Sequence, residues 1–244
     1  MKKFLRYLYR KINPPAKPLT SEDFVKSLNE RGAKVGTHTH FFAPAQVTID
    51  MQRPWLLEIG DYCKITQGVV ILAHDYSRSV LRRVYGEVIG EAGKTKIGDN
   101  VFIGINSIIL MGSHIGNNVI IGAGSVVNGN IPDNVVAAGN PAKVIYSLGE
   151  YYAKRKAKYV DEAKLCAREY YLAYGKAPSV TEMNAFFPLY LERKEESLKS
   201  VNTHLSGDDE NDIIENFMRS ELLYPSFEDF LKDALGGLRD DDRK

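Results

Sequence analysis

The sequence predicts a mainly β protein: a parallel β-helix prism preceded by a short helix and followed by an α-helical extension. Three observations carry this. Between residues 97 and 132 an aliphatic residue recurs every six positions, at Ile97, Ile103, Ile109, Ile115, Ile121 and Val127. A second small or branched residue follows four later, at Val101, Ser107, Ser113, Val119, Ser125 and Ile131. A period of six fits neither a helix at 3.6 nor a two-sided strand at 2.0. It fits three short flat faces, one hexad each, so that a full coil takes about eighteen residues and buries nothing without its neighbours. The second observation is that Ile59, Ile65 and Ile71 continue the frame backwards, and further sixes reach Val47, Phe41 and Val35. The third is a change of composition after residue 146, to a stretch rich in Tyr, Ala, Lys and Glu.

Taken in order, residues 1–34 form a basic start and a capping helix. The first eighteen residues hold Lys2, Lys3, Arg6, Arg10, Lys11 and Lys17 with no acid. Thr20-Ser21-Glu22-Asp23 is a helix start and Gly32 a stop; this helix is expected to shield the open end of the prism. The central domain, built on the prism, spans 35–146. It contains one poor hexad at 53–58, where Arg53 takes the aliphatic place. The step from Ile71 to Ile97 is not a multiple of six, so a loop leaves the prism near 75–95. Asp75 would otherwise point inward, and a buried unpaired carboxylate is costly; the departure is expected there. The prism ends near Pro132, and V-V-A-A-G-N-P-A-K-V-I follows as an extended piece. Residues 147–244 form the helical extension. Tyr159, Ala163, Cys166, Tyr170 and Tyr174 mark one helical face, ended by Gly175. Ser179 with Glu182 forms a capping box for a second helix through Met183, Phe186 and Phe187, bent or ended by Pro188. Ile213–Phe217 and Phe227–Leu235 are further helices, and the acidic tail ends in D-D-D-R-K.

Composition narrows the function. A formal net charge of +1 over 244 residues argues against nucleic acid as the partner. No apolar run approaches the ~20 residues that cross a bilayer, and no signal-peptide core follows the first lysines. Two cysteines occur, Cys63 and Cys166. Cys63 falls on an inward position, so a buried free thiol and a cytoplasmic setting are expected. Phe4, Leu5, Tyr7 and Leu8 among the first basic residues would allow weak peripheral contact with the inner membrane face.

Chemistry is expected at the corners, where Asn100, Asn106, Gly112, Asn118 and Gly124 sit and side chains point outward. His74 occupies such a corner where the chain departs. An imidazole beneath a long loop is suited to general-base work, because it exchanges a proton near neutral pH. Stacking at about one strand spacing, ~4.8 Å, aligns Gly104 with Gly122 and Ile105 with Ala123. That row of small residues predicts a shallow groove with reachable backbone groups. Trp55, Asp75 and Arg78 are candidates for binding an acceptor. Trp55 lies about one coil before His74; Arg78, with Arg82 and Arg83, offers cations on the excursion.

I-G-I-N-S-I-I-L-M-G-S-H-I-G-N-N-V-I-I-G-A-G-S-V-V, the close G-N-P-A-K-V-I and the earlier V-V-I-L-A-H-D-Y-S resemble the hexapeptide-repeat acyltransferases, among them the sugar and polysaccharide O-acetyltransferases. The resemblance covers residues 35–146. It implies a left-handed parallel β-helix, a homotrimer, and acetyl-CoA bound as co-substrate between neighbouring prisms, with no metal. It implies that His74 is the catalytic base and that Ile105 and Ala123 meet the pantetheine arm. Asn128 would lie near the adenylate end and Lys143 near the phosphates. N-G-N-I-P departs from the family's usual T-K-D-I-P and removes a basic contact. The implied reaction is direct acetyl transfer to a carbohydrate hydroxyl; an amino-sugar or xenobiotic acceptor, and a non-catalytic trimeric scaffold, are the alternatives. Zinc chemistry on the same prism would need three converging histidines, and His38, His40 and His114 are not spaced for it.

Overall fold

The structure is a computed structural model describing residues 19–201 and 209–236. The basic residues 2–17, with their possible membrane contact, and the acidic end of the tail lie outside the described residues.

Each hexad becomes a short strand and a corner, and the strands stack into three faces. Coil one holds β1 (Lys34–Val35), β2 (His40–Phe41) and β3 (Thr48–Ile49). Coil two holds β4 (Leu57–Ile59), β5 (Lys64–Ile65) and β6 (Val70–Ile71). Coil three holds β7 (Thr95–Ile97), β8 (Val101–Ile103) and β9 (Ile108–Ile109). Coil four holds β10 (His114–Ile115), β11 (Val119–Ile121) and β12 (Val126–Val127). The last turn adds β13 (Asn130–Ile131), β14 (Val135–Gly139) and the antiparallel β15 (Ala142–Ser147). The first face is β1-β4-β7-β10-β13, the second β2-β5-β8-β11-β14-β15, the third β3-β6-β9-β12. Inside runs one core, with Ile65, Ile103, Ile109, Ile121 and Val127 fully buried. Cys63 is buried in it, its thiol pushed up by desolvation and set 3.1 Å from the Gly98 carbonyl.

The corner between the first two faces explains the Ile-Gly-Asx rhythm. Asp99 Oδ1 accepts from Asp61 N (2.8 Å), Asn117 Oδ1 from Asp99 N (2.8 Å), and Asp133 Oδ1 from Asn117 N (2.7 Å). A Cβ on Gly60, Gly98 or Gly116 would fall on the side chain of the next coil, so these places need glycine.

The helix expected near the start is α1 (Ser21–Glu30), capped by Thr20, whose hydroxyl accepts from Asp23 N (3.1 Å). It covers the open end, burying Leu28 in the core.

The frame before Ile59 needs correction. Val35 pairs with Ile59, 24 positions on, and Ile49 rather than Val47 pairs with Ile71. Two single-turn 3-10 helices, Pro44–Gln46 and Pro54–Leu56, add residues at two corners. The additions sum to one hexad, so counting by sixes from Ile59 still reached Val35 and hid both. Arg53 is therefore no core substitute but part of the second insertion. The last coil is shorter: Ile131 pairs with Ile115, 16 positions on.

The excursion leaves after Ala73, whose carbonyl accepts from the returning Gly93 N (3.0 Å). Asp75 is exposed. Its middle is α2 (Arg78–Tyr85), a helix that sequence patterning did not indicate.

Leu148 N donates to Asn134 O (2.8 Å), so α3 (Leu148–Tyr174) starts at the corner between the first and second faces. Its buried stripe is Ala163 and Ala167, against Phe230 and Ala234 of the last helix. Cys166 and Tyr174, expected on that face, are exposed, because small alanines are what let the helices approach. Only half of the Ser179–Glu182 box forms, Ser179 N donating to Glu182 Oε2 (2.7 Å) while the Ser179 hydroxyl accepts from Thr181 N (3.2 Å), and a 3-10 helix, Asn184–Leu189, follows instead of an α-helix. Pro188 lacks the N–H an α-helix would use. Then come α4 (Glu195–Ser200), α5 (Glu210–Arg219) and α6 (Phe227–Leu235).

Candidate active site

His74 stands at the corner between the third and first faces, immediately after β6. Its Nδ1 meets Asp50 Oδ2 in a short contact, and both side chains are mostly covered. Asp50 follows Ile49 and is held by its own strand, its N–H donating to Ile71 O (2.9 Å). Its carboxylate also accepts from Gln52 N (3.0 Å) and Ala73 N (3.1 Å). Burial acts to raise the Asp50 carboxyl, but the His74 bond and the two backbone N–H groups outweigh it and hold it below its ordinary value. An ionised carboxylate only accepts, so Nδ1 carries the proton and Nε2 is the basic atom.

Sequence reading missed Asp50. Counting eighteen back from His74 points at Leu56 and its neighbour Trp55 rather than at Asp50; Trp55 sits on the second 3-10 turn, 66% exposed, at the third-to-first corner one coil before His74. The available signals were two prolines, Pro44 and Pro54, each followed by a β-rich stretch, and one carboxylate next to an inward isoleucine.

The excursion starts beside this pair. Asp75 Oδ1 accepts from Ser77 N (2.8 Å), which together with the Ser77 hydroxyl holds its carboxyl below the usual range. Glu91 Oε2 takes the Ser77 hydroxyl (3.2 Å). Arg78 lies over the Tyr76 ring, 4.9 Å from its centre.

The other candidates divide between two edges of the third face. Gly104, Ile105, Gly122 and Ala123 lie at its corner with the second face, where Gly124 N donates to Ile105 O (2.8 Å). Lys143 is on that side too, pairing with Ala138, next to Gly139. Asn128 lies instead on the His74 edge, two coils further along. The glycines do not make the groove as expected: a Cβ on Gly104 would come within 2.5 Å of Ala123 N, so the glycine serves coil-to-coil stacking. The accessible features are the exposed Ile105 and Ala123. Among the described residues, neither of their N–H groups donates to another backbone carbonyl. His38 stacks on Tyr62, ring centres 4.6 Å apart, at the corner between the first two faces and away from His74. Among the described residues no three His, Cys, Asp or Glu side chains converge on a metal position.

A family model, bacterial transferase hexapeptide (six repeats), matches residues 94–129. Protein CapG of Staphylococcus aureus is 41% identical over 154 residues, which is 62% of this chain and 87% of that protein. The chain belongs to the hexapeptide-repeat acyltransferases. The galactoside O-acetyltransferase of Escherichia coli K12 is 35% identical over 127 residues, 50% of this chain and 61% of that enzyme. The solved maltose O-acetyltransferase of Clostridium difficile 630 aligns over 59% of this chain and 84% of its own, at 28% identity and a TM-score of 0.38. Membership of the hexapeptide-repeat family makes the prism a left-handed parallel β-helix, an exception to the right-handed crossover rule. Its α-helical extension lies outside the repeats.

Proposed function

We propose that the protein transfers acetyl from acetyl-CoA to a hydroxyl of a carbohydrate, a surface polysaccharide or its precursor, with His74 as general base. The Asp50–His74 pair carries this reading. Nε2 takes the proton of the acceptor hydroxyl as its oxygen attacks the thioester carbonyl carbon. The C–S bond then breaks, and the proton passes from Nε2 to the thiolate sulfur. Asp50 fixes the Nδ1–H tautomer and balances the imidazolium formed between the two steps. The unused N–H groups of Ile105 and Ala123 suit the amide carbonyls of a pantetheine arm, and Lys143 its phosphates. The galactoside and maltose enzymes among the relatives favour a sugar acceptor.

The site is completed by a second copy. His74 and Asn128 are on one long edge of the third face; Ile105, Ala123 and Lys143 are on or next to the other. The face between them is aliphatic outside as well as inside: Val70, Ile108 and Val126 form one outward row, Leu72 and Leu110 another. By contrast, the first face carries Lys34, Glu58, Lys96 and His114 outward. Turning the aliphatic face to a threefold axis buries it and brings the His74 edge of one copy beside the Ile105 edge of the next. The excursion, with Val80, Val84, Tyr85 and Val88 all exposed, leaves from that same edge and gains cover from the neighbour.

Thiol release from acetyl-CoA with a panel of sugars and oligosaccharides tests the reading. Turnover with a carbohydrate acceptor is expected, and His74→Ala should lower kcat by ~10²–10⁴-fold at unchanged fold, the usual contribution of such proton transfer. Undiminished turnover in His74→Ala would remove the mechanism.

A further inference from the structure

The transfer chemistry leaves the start of the helical extension unused. From Val144 to Lys158 the chain carries four cations, Lys154, Arg155, Lys156 and Lys158, against one acid, Glu150, with Arg155 also paired to Glu162 (2.7 Å). Residues 152–158 of α3 are exposed without a break, so more than a full turn of helix is bare on every side. Beside it, β15 exposes Val144 (47%) and Ile145 (50%). Strand and helix are tied together. Lys154 Nζ donates to the Tyr146 hydroxyl (2.8 Å), and the Tyr146 and Tyr151 ring centres are 6.4 Å apart. This surface lies at the last coil and at the corner opposite the aliphatic face, away from the proposed threefold axis.

Cations alone would suit a solvated face or a soluble polyanion. Neither accounts for two exposed aliphatic residues and a 64% exposed Tyr152 within the same patch. Lysines among tyrosines and aliphatics fit the headgroup layer of an anionic bilayer, where ammonium groups meet phosphates and amphipathic side chains sit at the boundary. We propose that this end of the prism docks on an anionic membrane surface through Val144–Tyr146 and the first half of α3. No described helix is long and apolar enough to cross a membrane, so the docking is peripheral. A threefold assembly with its axis along the prisms sets three such patches at one end, facing the same way, and multiplies a weak contact. That multiplication rests on the trimer reading; the patch itself does not. The basic residues 2–17 precede α1, which covers the opposite end of the prism, so the two basic stretches can be tested apart.

The experiment is flotation of the full chain with vesicles of phosphatidylcholine alone or mixed with phosphatidylglycerol. Binding only to the mixed vesicles, weakened by salt, is expected. Lys156→Glu with Lys158→Glu should weaken it by more than about tenfold, since each cation near such a surface contributes roughly a factor of five. Ile145→Ser should weaken it at constant charge. Circular dichroism and the thermal shift with acetyl-CoA, both unchanged, report that the variants fold and keep the cleft. Flotation without a phosphatidylglycerol requirement, or no flotation, overturns the proposal. So does flotation that survives these variants and vanishes when Lys2, Lys3 and Arg6 become Gln. An ineffective Ile145→Ser with full displacement by dextran sulfate would assign the patch to a soluble polyanion instead. Sedimentation mass is read in parallel, and a monomer that still floats would remove the trimer reading while leaving the docking standing.

Discussion

Asp50 decides what His74 can do. It is nearly covered, accepts three hydrogen bonds and sits below its ordinary pKa, so it remains an anion wherever the enzyme works near neutrality. Asp50→Asn replaces an obligatory acceptor with an amide that can donate, which allows the wrong imidazole tautomer. A fall in kcat of ~10²–10⁴-fold is expected, with KM for acetyl-CoA little changed; a comparable tautomer-setting aspartate in serine proteases has an effect at the upper end of this range. The depressed carboxyl also stabilises the fold above the ordinary carboxylate pKa, and that stability is lost as pH falls through its folded value. Acid titrations of unfolding should show a shallower loss in Asp50→Asn than in the wild type. An unchanged kcat would deny Asp50 its positioning role. Of this pair, His74 stands out in the sequence through its corner place where the chain departs and through the resemblance of its A-H-D segment. Asp50 does not, because it lies 24 positions before His74 across the Pro54–Leu56 insertion, whereas a regular coil of eighteen points at Leu56.

Among the elements, the prism was the most legible and the helical extension the least. Hexads announce themselves because each coil repeats the same burial problem: Ile109 and Val127 occupy equivalent places and share one requirement. The extension has no such redundancy. Its buried stripe runs through Ala163 and Ala167, which carry no hydrophobic signal beyond that of a good helix former, and its second helix yields to Pro188. One residue holds much of it together. Arg193 donates to the carbonyls of Ser220 (3.0 Å), Leu191 (2.5 Å), Pro188 (2.7 Å) and Glu221 (2.6 Å), and lies 4.5 Å from the Phe217 ring centre. Burial lowers its pKa, and carbonyl dipoles take the place of a counter-ion. Arg193→Ala leaves the part-buried Leu191 and Pro188 carbonyls without donors, at ~1–3 kcal/mol each, while water replaces it at the exposed Ser220 and Glu221 carbonyls. Loss of about 3 kcal/mol is expected in urea unfolding followed at the extension, with Arg193→Lys recovering only part because an ammonium lacks the planar fork. Equal stability of Arg193→Ala and wild type would contradict this account of the extension.

At the scale of the molecule, the proposed trimer makes a single prism half an active site. The two edges that carry the candidate residues face opposite ways across the aliphatic third face, so function follows from how copies meet. This is why sequence reading could name His74, Ile105 and Ala123 without saying which of them act together. Mixed trimers test it most directly. His74→Ala removes the base from one edge, and Ala123→Tyr blocks the opposite edge at an exposed corner; each variant alone should be inactive. Co-assembled from equal amounts, the two should recover roughly a quarter of wild-type turnover, because random threefold assembly pairs two intact edges at that frequency. Mixed trimers that form, by mass, and remain inactive would contradict a site shared between copies.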